Sequence, residues 1–206
     1  MTKGQVFLMK QIVKAACAAF ILTVIFSLIP FHAQCERISG DTFRLHILAN
    51  SDSEADQALK LKVRDRILSE LQPLLSSATD KETAQNIVSD DLRHFADIAY
   101  DEVLQNGYDY PVTAEITEMY FDTRHYDGYT LPAGKYDALR IRIGKAEGHN
   151  WWCVLYPGIC ISAAEERDQK AREGFDSDEY EIVRDKPYSY RFKAVEWIEY
   201  LHDLFT

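Results

Sequence analysis

The chain has 206 residues, 33 acidic and 23 basic, with a formal charge of −10 and 47% hydrophobic content. Setting aside Lys3, Lys10 and Lys14 leaves 20 basic against 33 acidic residues, a formal −13 on the remainder of the chain. That balance argues against nucleic acid or anionic lipid as the main partner, because both require clustered Lys and Arg; residues 36–206 suit one domain with its own hydrophobic core.

The three lysines precede an apolar run from Ala15 to Phe31, interrupted only by Thr23, Ser27 and Pro30. A basic flank followed by an apolar run is the pattern of a signal peptide or an N-terminal membrane anchor, assigned here to residues 1–35. The run is close to the lower limit of a span, about 17–25 residues, so its length does not choose between them. Pro30 is expected to break the helix, and Ala33-Gln34-Cys35 offers a small-x-small cleavage motif. By the positive-inside rule the lysines stay in the cytosol, and residues 36–206 cross as a single exported globular domain.

Residues 42–48 alternate apolar and polar, as in a half-buried strand, and stop at Asn50-Ser51-Asp52-Ser53, a run of N-cap candidates. Leu59, Val63, Ile67, Leu71 and Leu74 then mark a long helix ending near Ser76. A second helix opens at Thr79-Asp80-Lys81-Glu82 and closes at Asn106-Gly107, where a left-handed cap fits. From Val112 to Phe121 the period is two, with a phase slip near Glu118 that suggests a bulge. Residues 128–134 read as a loop, and residues 138–143 as a strand exposing Arg140 and Arg142. Trp151–Tyr156 is a further strand, its two tryptophans directed to opposite faces. Residues 163–173 form a charged helix, residues 174–186 an acidic, weakly structured stretch. A last helix from about Tyr190 can dock Val195, Ile198, Leu201 and Phe205. The fold class is α+β: a small, mostly antiparallel sheet with a two-helix insertion after the first strand, a C-terminal helix, and the N-terminal signal or anchor helix.

Cys153 and Cys160 are the even pair that remains if Cys17 and Cys35 go with a cleaved segment. In an exported chain a disulfide between them is plausible chemistry. If residues 156–159 closed a hairpin, however, the two cysteines would be diagonal neighbours about 7–8 Å apart, beyond a disulfide's reach. A bonded pair and two buried free thiols both stand at this point.

No catalytic, cofactor-binding or metal site is expected. Cys153 lies in an apolar aromatic strand and lacks the electropositive, exposed setting of a nucleophile. His125, His149 and His202 are isolated, and no metal-binding spacing accompanies them. A structural role fits His46 better than a catalytic one. Asp56, Lys60 and Arg64 follow at i,i+4 with a mean direction inside the apolar arc: an ion-pair ladder at the core edge, or a partner-contact edge. Two alternative functions are an exported hydrolase using His46, Asp52 or Cys153, and a cell-wall-binding module using Trp151 or Trp152.

Three blocks together resemble the stage II sporulation protein R family. They are Phe43-Arg44-Leu45-His46-Ile47-Leu48-Ala49-Asn50-Ser51-Asp52-Ser53, continuing through Asp56–Asp65; Leu131-Pro132-Ala133-Gly134-Lys135-Tyr136-Asp137-Ala138-Leu139-Arg140; and Asn150-Trp151-Trp152-Cys153-Val154-Leu155-Tyr156-Pro157 with Cys160. The resemblance covers roughly residues 43–161. It implies a non-enzymatic signal of endospore formation, exported into the space between forespore and mother-cell membranes. It further implies a partner there, a membrane-embedded aspartic protease that processes pro-sigma-E. The expected contact surface is the Asn50–Asp52 loop and the adjoining edge, with Asn50, Asp52, Lys60, Arg64 and Trp151 as its candidates.

Overall fold

A computed structural model describes residues 3–126, 128–160, 164–184, 192–198 and 200. Its element order is α1 (Lys3–Gly40), β1 (Phe43–Leu48), α2 (Glu54–Leu75), α3 (Lys81–Asp90), α4 (Leu92–Gln105), β2 (Val112–Phe121), β3 (Arg124–Tyr126), β4 (Tyr129–Leu131), β5 (Gly134–Ile143), β6 (Asn150–Tyr156), α5 (Ala164–Gly174) and α6 (Ser177–Val183). Residues 192–198 are also helical. This is an α+β architecture around a four-stranded sheet of order β2-β5-β1-β6, beside a small β3-β4 ribbon. β1 runs antiparallel to β6 but parallel to β5, and β2 pairs antiparallel with β5.

Because side chains alternate across a strand, the register sorts the sheet into two faces. Phe43, Leu45 and Ile47 align with Leu139, Ile141 and Cys153 on the first face, where α2, α3 and α4 bury them. The helices contribute Leu59, Val63, Ile67, Leu71, Val88, Phe95 and Val103 to the same core. Each such side chain stabilises by about 1.5–3 kcal/mol on burial. The second face carries Arg44, His46, Trp152, Val154, Tyr136 and Phe121. It is covered by the ribbon, the end of α1, α5, α6 and residues 192–195.

This two-sided cover changes the reading of β1: all six of its residues are buried, not half of them. The phase slip in β2 has the same origin. Its pairing with β5 is unbroken from Val112 to Phe121, so no bulge sits near Glu118. Val112, Ala114 and Ile116 face the helical layer, whereas Met119 and Phe121 join the opposite cluster. The strand changes which side is covered while its register holds. The one irregularity in the sheet falls instead between Phe43 and Arg44, against β6.

Pro30 does not end α1, which continues to Gly40. Proline removes its own backbone hydrogen bond, but the turns after it are held from outside. Phe31, Cys35 and Ile38 are buried against Leu131, Phe192 and Val195, with the Phe31 and Phe192 rings 5.6 Å apart. A cut after Cys35 would remove Phe31 from this core. Residues 4–30 are largely exposed and apolar, long enough to cross a membrane by length and composition.

The second expected helix is divided at Asp91 into α3 and α4. Its C-terminus matches a Schellman closure: Gly107 has φ 82°, and the Tyr108 amide donates to the Val103 carbonyl at 3.2 Å. Residues 129–131 form β4 where a loop was expected. Within the acidic stretch expected at 174–186, the described residues 174–184 prove more ordered than their acidity suggested. Asp176 and Glu179 form a capping box that starts α6, and Tyr180, Ile182 and Val183 enter the second core. Val195 is buried as expected, but Ile198 is exposed and does not dock; Leu201 and Phe205 lie outside the described residues.

Candidate interaction site

β6 is an edge strand, and its exposed beginning is flanked by two arginine–tryptophan stacks. On the helical side, the Arg64 guanidinium carbon lies 4.3 Å from the Trp151 ring centre. On the other side, that of Arg124 lies 4.9 Å from the Trp152 ring centre. Both tryptophans are half-buried, and they face opposite ways as the period of two requires.

The first side contains all five candidate contact residues. Ser53, not Asn50 or Asp52, caps α2 by accepting from the Asp56 amide at 3.1 Å. Asn50 instead bridges two segments. Its Nδ2 donates to the Asp56 carboxylate at 2.8 Å, and its Oδ1 accepts from the Lys145 amide at 3.0 Å. That bridge requires glycine at 144, where φ is +58° and a Cβ would fall 2.3 Å from Asn50 Oδ1. Asp52 is exposed and accepts from the His149 amide at 2.5 Å and from its ring. Burial alone would raise the Asp56 carboxyl, but hydrogen bonds from Ser51, Asn50, Tyr110 and Ser53 hold it below its ordinary value.

The i,i+4 ladder of Asp56, Lys60 and Arg64 does not form as such. Lys60 is buried, donating to Gln57 Oε1 at 2.6 Å and to the His149 carbonyl at 2.8 Å. Burial pulls its pKa down, partly offset by Asp52. Arg64 pairs with Asp65 at 2.6 Å and lies over Trp151. Asn50 and Lys60 thus fix the 144–149 loop to the start of α2, while Asp52, Arg64 and Trp151 face outward at the rim.

The second side is a cluster the sequence reading did not assemble. Arg44 is completely buried, its guanidinium 3.9 Å from the Phe121 ring centre and 4.7 Å from that of Tyr136. Its Nη2 donates to the Tyr126 hydroxyl, while Nε and Nη1 have no hydrogen-bond partner. His46, the next residue on that face, stacks on Trp152 with ring centres 4.4 Å apart and planes 7° from parallel. Its Nε2 lies 3.0 Å from Asn150 Oδ1. Burial pushes the His46 pKa down to about 4 against the Asn150 bond, and the charges of Arg140 and Arg44 add to the effect. The usable signal was the alternation itself: Arg44 and His46 share a face with Arg140 and Trp152 once the strands are paired.

Cys153 and Cys160 form a disulfide with Cα atoms 5.9 Å apart. β6 does not run into the hairpin that would have made them diagonal neighbours. A tight turn brings the Ile159 amide to the Pro157 carbonyl and the Cys160 amide back to the Val154 carbonyl, 3.3 Å away. The possible hydrolase residues are dispersed: His46 contacts Asn150, Asp52 contacts His149, and Cys153 is bonded to Cys160. Among the described residues no His, Cys, Asp and Glu cluster is arranged to hold a metal.

A family model described as stage II sporulation protein R matches residues 39–166, a span that contains every strand and the helices of the first core. The stage II sporulation protein R of Bacillus subtilis (strain 168) is 35% identical over 124 residues, 60% of this chain. The match spans 55% of that relative's own length. No solved structure matches the chain. The chain belongs to the stage II sporulation protein R family.

Proposed function

We propose that this protein is an exported signal of endospore formation that activates a membrane-embedded aspartic protease, which then processes pro-sigma-E. The observation that carries the reading is the family match over residues 39–166, which covers the whole sheet and both sides of its edge strand. An N-terminal helix long and apolar enough to span a membrane, together with a disulfide, suits a location outside the cytoplasm. On this reading the exported domain acts in the space between forespore and mother-cell membranes.

Activation on this reading is a population shift. The domain binds the protease's sensor region better in the active state and thereby favours that state, without chemistry of its own. Asp52, Arg64 and Trp151 are the outward groups of the first contact rim, with Asn50 and Lys60 holding the loop behind it. Co-expression with the protease and pro-sigma-E, in a host without other sporulation proteins, should yield cleavage that disappears when this protein is omitted. Cleavage that persists without it ends the proposal. Retention of the purified chain on peptidoglycan, with no effect on processing, would favour a wall-binding module instead.

A further inference from the structure

Of the seven buried side-chain nitrogen or oxygen atoms without a hydrogen-bond partner among the described residues, five belong to the second side of β6. They are Arg44 Nε and Nη1, Arg124 Nε, Arg140 Nε and His46 Nδ1. Four of the five are guanidinium nitrogens, which can only donate. Native interiors satisfy the large majority of such groups, so a cluster of orphan donors is an observation in itself. The local acids are few and loosely placed: Glu115 is 3.6 Å from Arg140, and Asp122 is 4.0 Å from Arg124. Among the described residues no carboxylate pairs with Arg44.

Packing alone accounts poorly for this arrangement. A desolvated cation over aromatic rings gains about 2 kcal/mol, whereas burying a charge without a counter-charge costs several. The cluster also concentrates positive charge in a chain whose formal charge is −10. Arg124 and Arg140 remain partly open to solvent, with side chains 40% and 31% exposed. Arg140, His46 and Trp152 stand side by side on adjacent strands in that order, and Arg124 lies over the Trp152 ring. Next to Arg124 there is a depression of about 400 Å³ lined by Tyr120, Asp122, Glu196, Trp197 and Tyr200, with Glu196 paired to Lys193 and Trp197 73% exposed. The orphan nitrogens themselves are enclosed, but the solvent-open ends of the Arg124 and Arg140 guanidinium groups, beside exposed aromatic surface, are complementary to carboxylates carried on a polypeptide. Trp, Tyr and Arg are also the side chains that dominate protein–protein contacts.

We propose that the Arg124–Trp152–Arg140 face is a docking surface for an acidic segment of a partner protein. Carboxylates of that segment take the N–H groups of Arg124 and Arg140, and the rings of Trp152 and Trp197 cover its apolar part. Arg44 does not touch the segment. It is a positioning residue whose buried charge makes the face attractive to anions and whose bond to Tyr126 holds the ribbon against it. The proposal rests on the reading that this protein works by binding a protein partner.

The test measures direct binding of the full chain to a short synthetic oligo-glutamate peptide. An oligo-glutamine peptide, inorganic phosphate and peptidoglycan stem peptides serve as competitors. The His46 ring resonances report contact at this face. The double variant Arg124→Gln/Arg140→Gln keeps the buried residues intact. Arg142→Gln removes an exposed charge from the same face outside the stack, and so controls for net charge. The expected result is oligo-glutamate binding that perturbs His46, falls at least tenfold in the double variant and is unchanged in Arg142→Gln. In the co-expression host the double variant should lose most pro-sigma-E processing. Equal binding by the wild type and the double variant overturns the proposal. So does tighter binding of phosphate or of stem peptides, or full processing by a double variant that no longer binds. If the wild type binds oligo-glutamate at this face yet induces no processing, the activator reading fails and the acidic ligand class stands.

Discussion

The two faces of the sheet are built from the same strands on different principles. The helical face is almost wholly apolar: Leu45, Leu139 and Cys153 meet Val63, Ile67 and Phe95. The opposite face, one residue along each strand, is cationic and aromatic and leaves donors unpaired. The first has the composition of a core that determines folding. The second resembles a surface folded partly inward, costing stability where the chain presents charge to something else. A strand with period two makes this possible, because each face is selected separately.

The largest effect should come from the helical face. Phe95→Ala removes a fully buried ring and should cost about 3–5 kcal/mol in chemical unfolding. A cost under about 1 kcal/mol would mean that α4 is not part of the core. The next effect belongs to His46 and is read as a pH dependence. The unfolded imidazole takes up a proton near 6.5, whereas the folded one resists until about 4. Between those values the unfolded chain binds more protons, so stability falls as pH drops through the window, by at most about 3 kcal/mol. In His46→Gln this part of the slope should disappear; an unchanged slope would show that His46 is not the group responsible.

Neighbouring residues on opposite faces give the sharpest contrast. Leu45→Ala should destabilise by about 2–5 kcal/mol. Arg44→Met, by contrast, should leave stability unchanged or raise it by about 1 kcal/mol, since apolar replacements of buried charges are often neutral or stabilising. A large loss in Arg44→Met would erase the distinction between the faces. The smallest effect lies at the rim joining them. Ser53→Ala should cost about 1 kcal/mol as a lost helix cap, and Asp52→Ser less than about 0.5 kcal/mol. Reduced processing in Asp52→Ser at intact stability would then identify a contact; normal processing would confine Asp52 to holding the loop.

The helical face was legible in the sequence because aliphatic residues at three-to-four spacing announce both a helix and its buried side. Leu59, Val63, Ile67 and Leu71 appear in the core as expected. The opposite face was not, because Arg44, His46 and Arg140 in an alternating strand look like solvent-facing positions. Only pairing across a long separation, with a ribbon and the end of α1 laid over them, makes Arg44 and His46 interior and leaves Arg140 half-covered. The same cause explains the misplaced bulge in β2, where a change of cover imitated a change of register. Of the contact candidates, the spacing placed Lys60 and Arg64 on one helix edge, but it could not tell outward groups from tethers. Lys60 reaches a carbonyl 89 residues away, and nothing local in the sequence encodes that bond.

The position of β1 in the sheet also has a consequence for how the chain acquires its structure. Leu45 pairs with Leu139 on one side and Cys153 on the other, so the central strand is made first and its partners come late. Whether the polypeptide leaves a ribosome or threads a membrane pore, β1 waits with both edges open until most of the chain has emerged. Long-range and parallel pairing is slow, because loop closure precedes any return in contacts. During that interval the α2–α4 segment is the local structure available to form, leaving an apolar strand exposed beside it. Chains that end before residue 137 should therefore remain in this open condition, prone to association and degradation, however well their helices form.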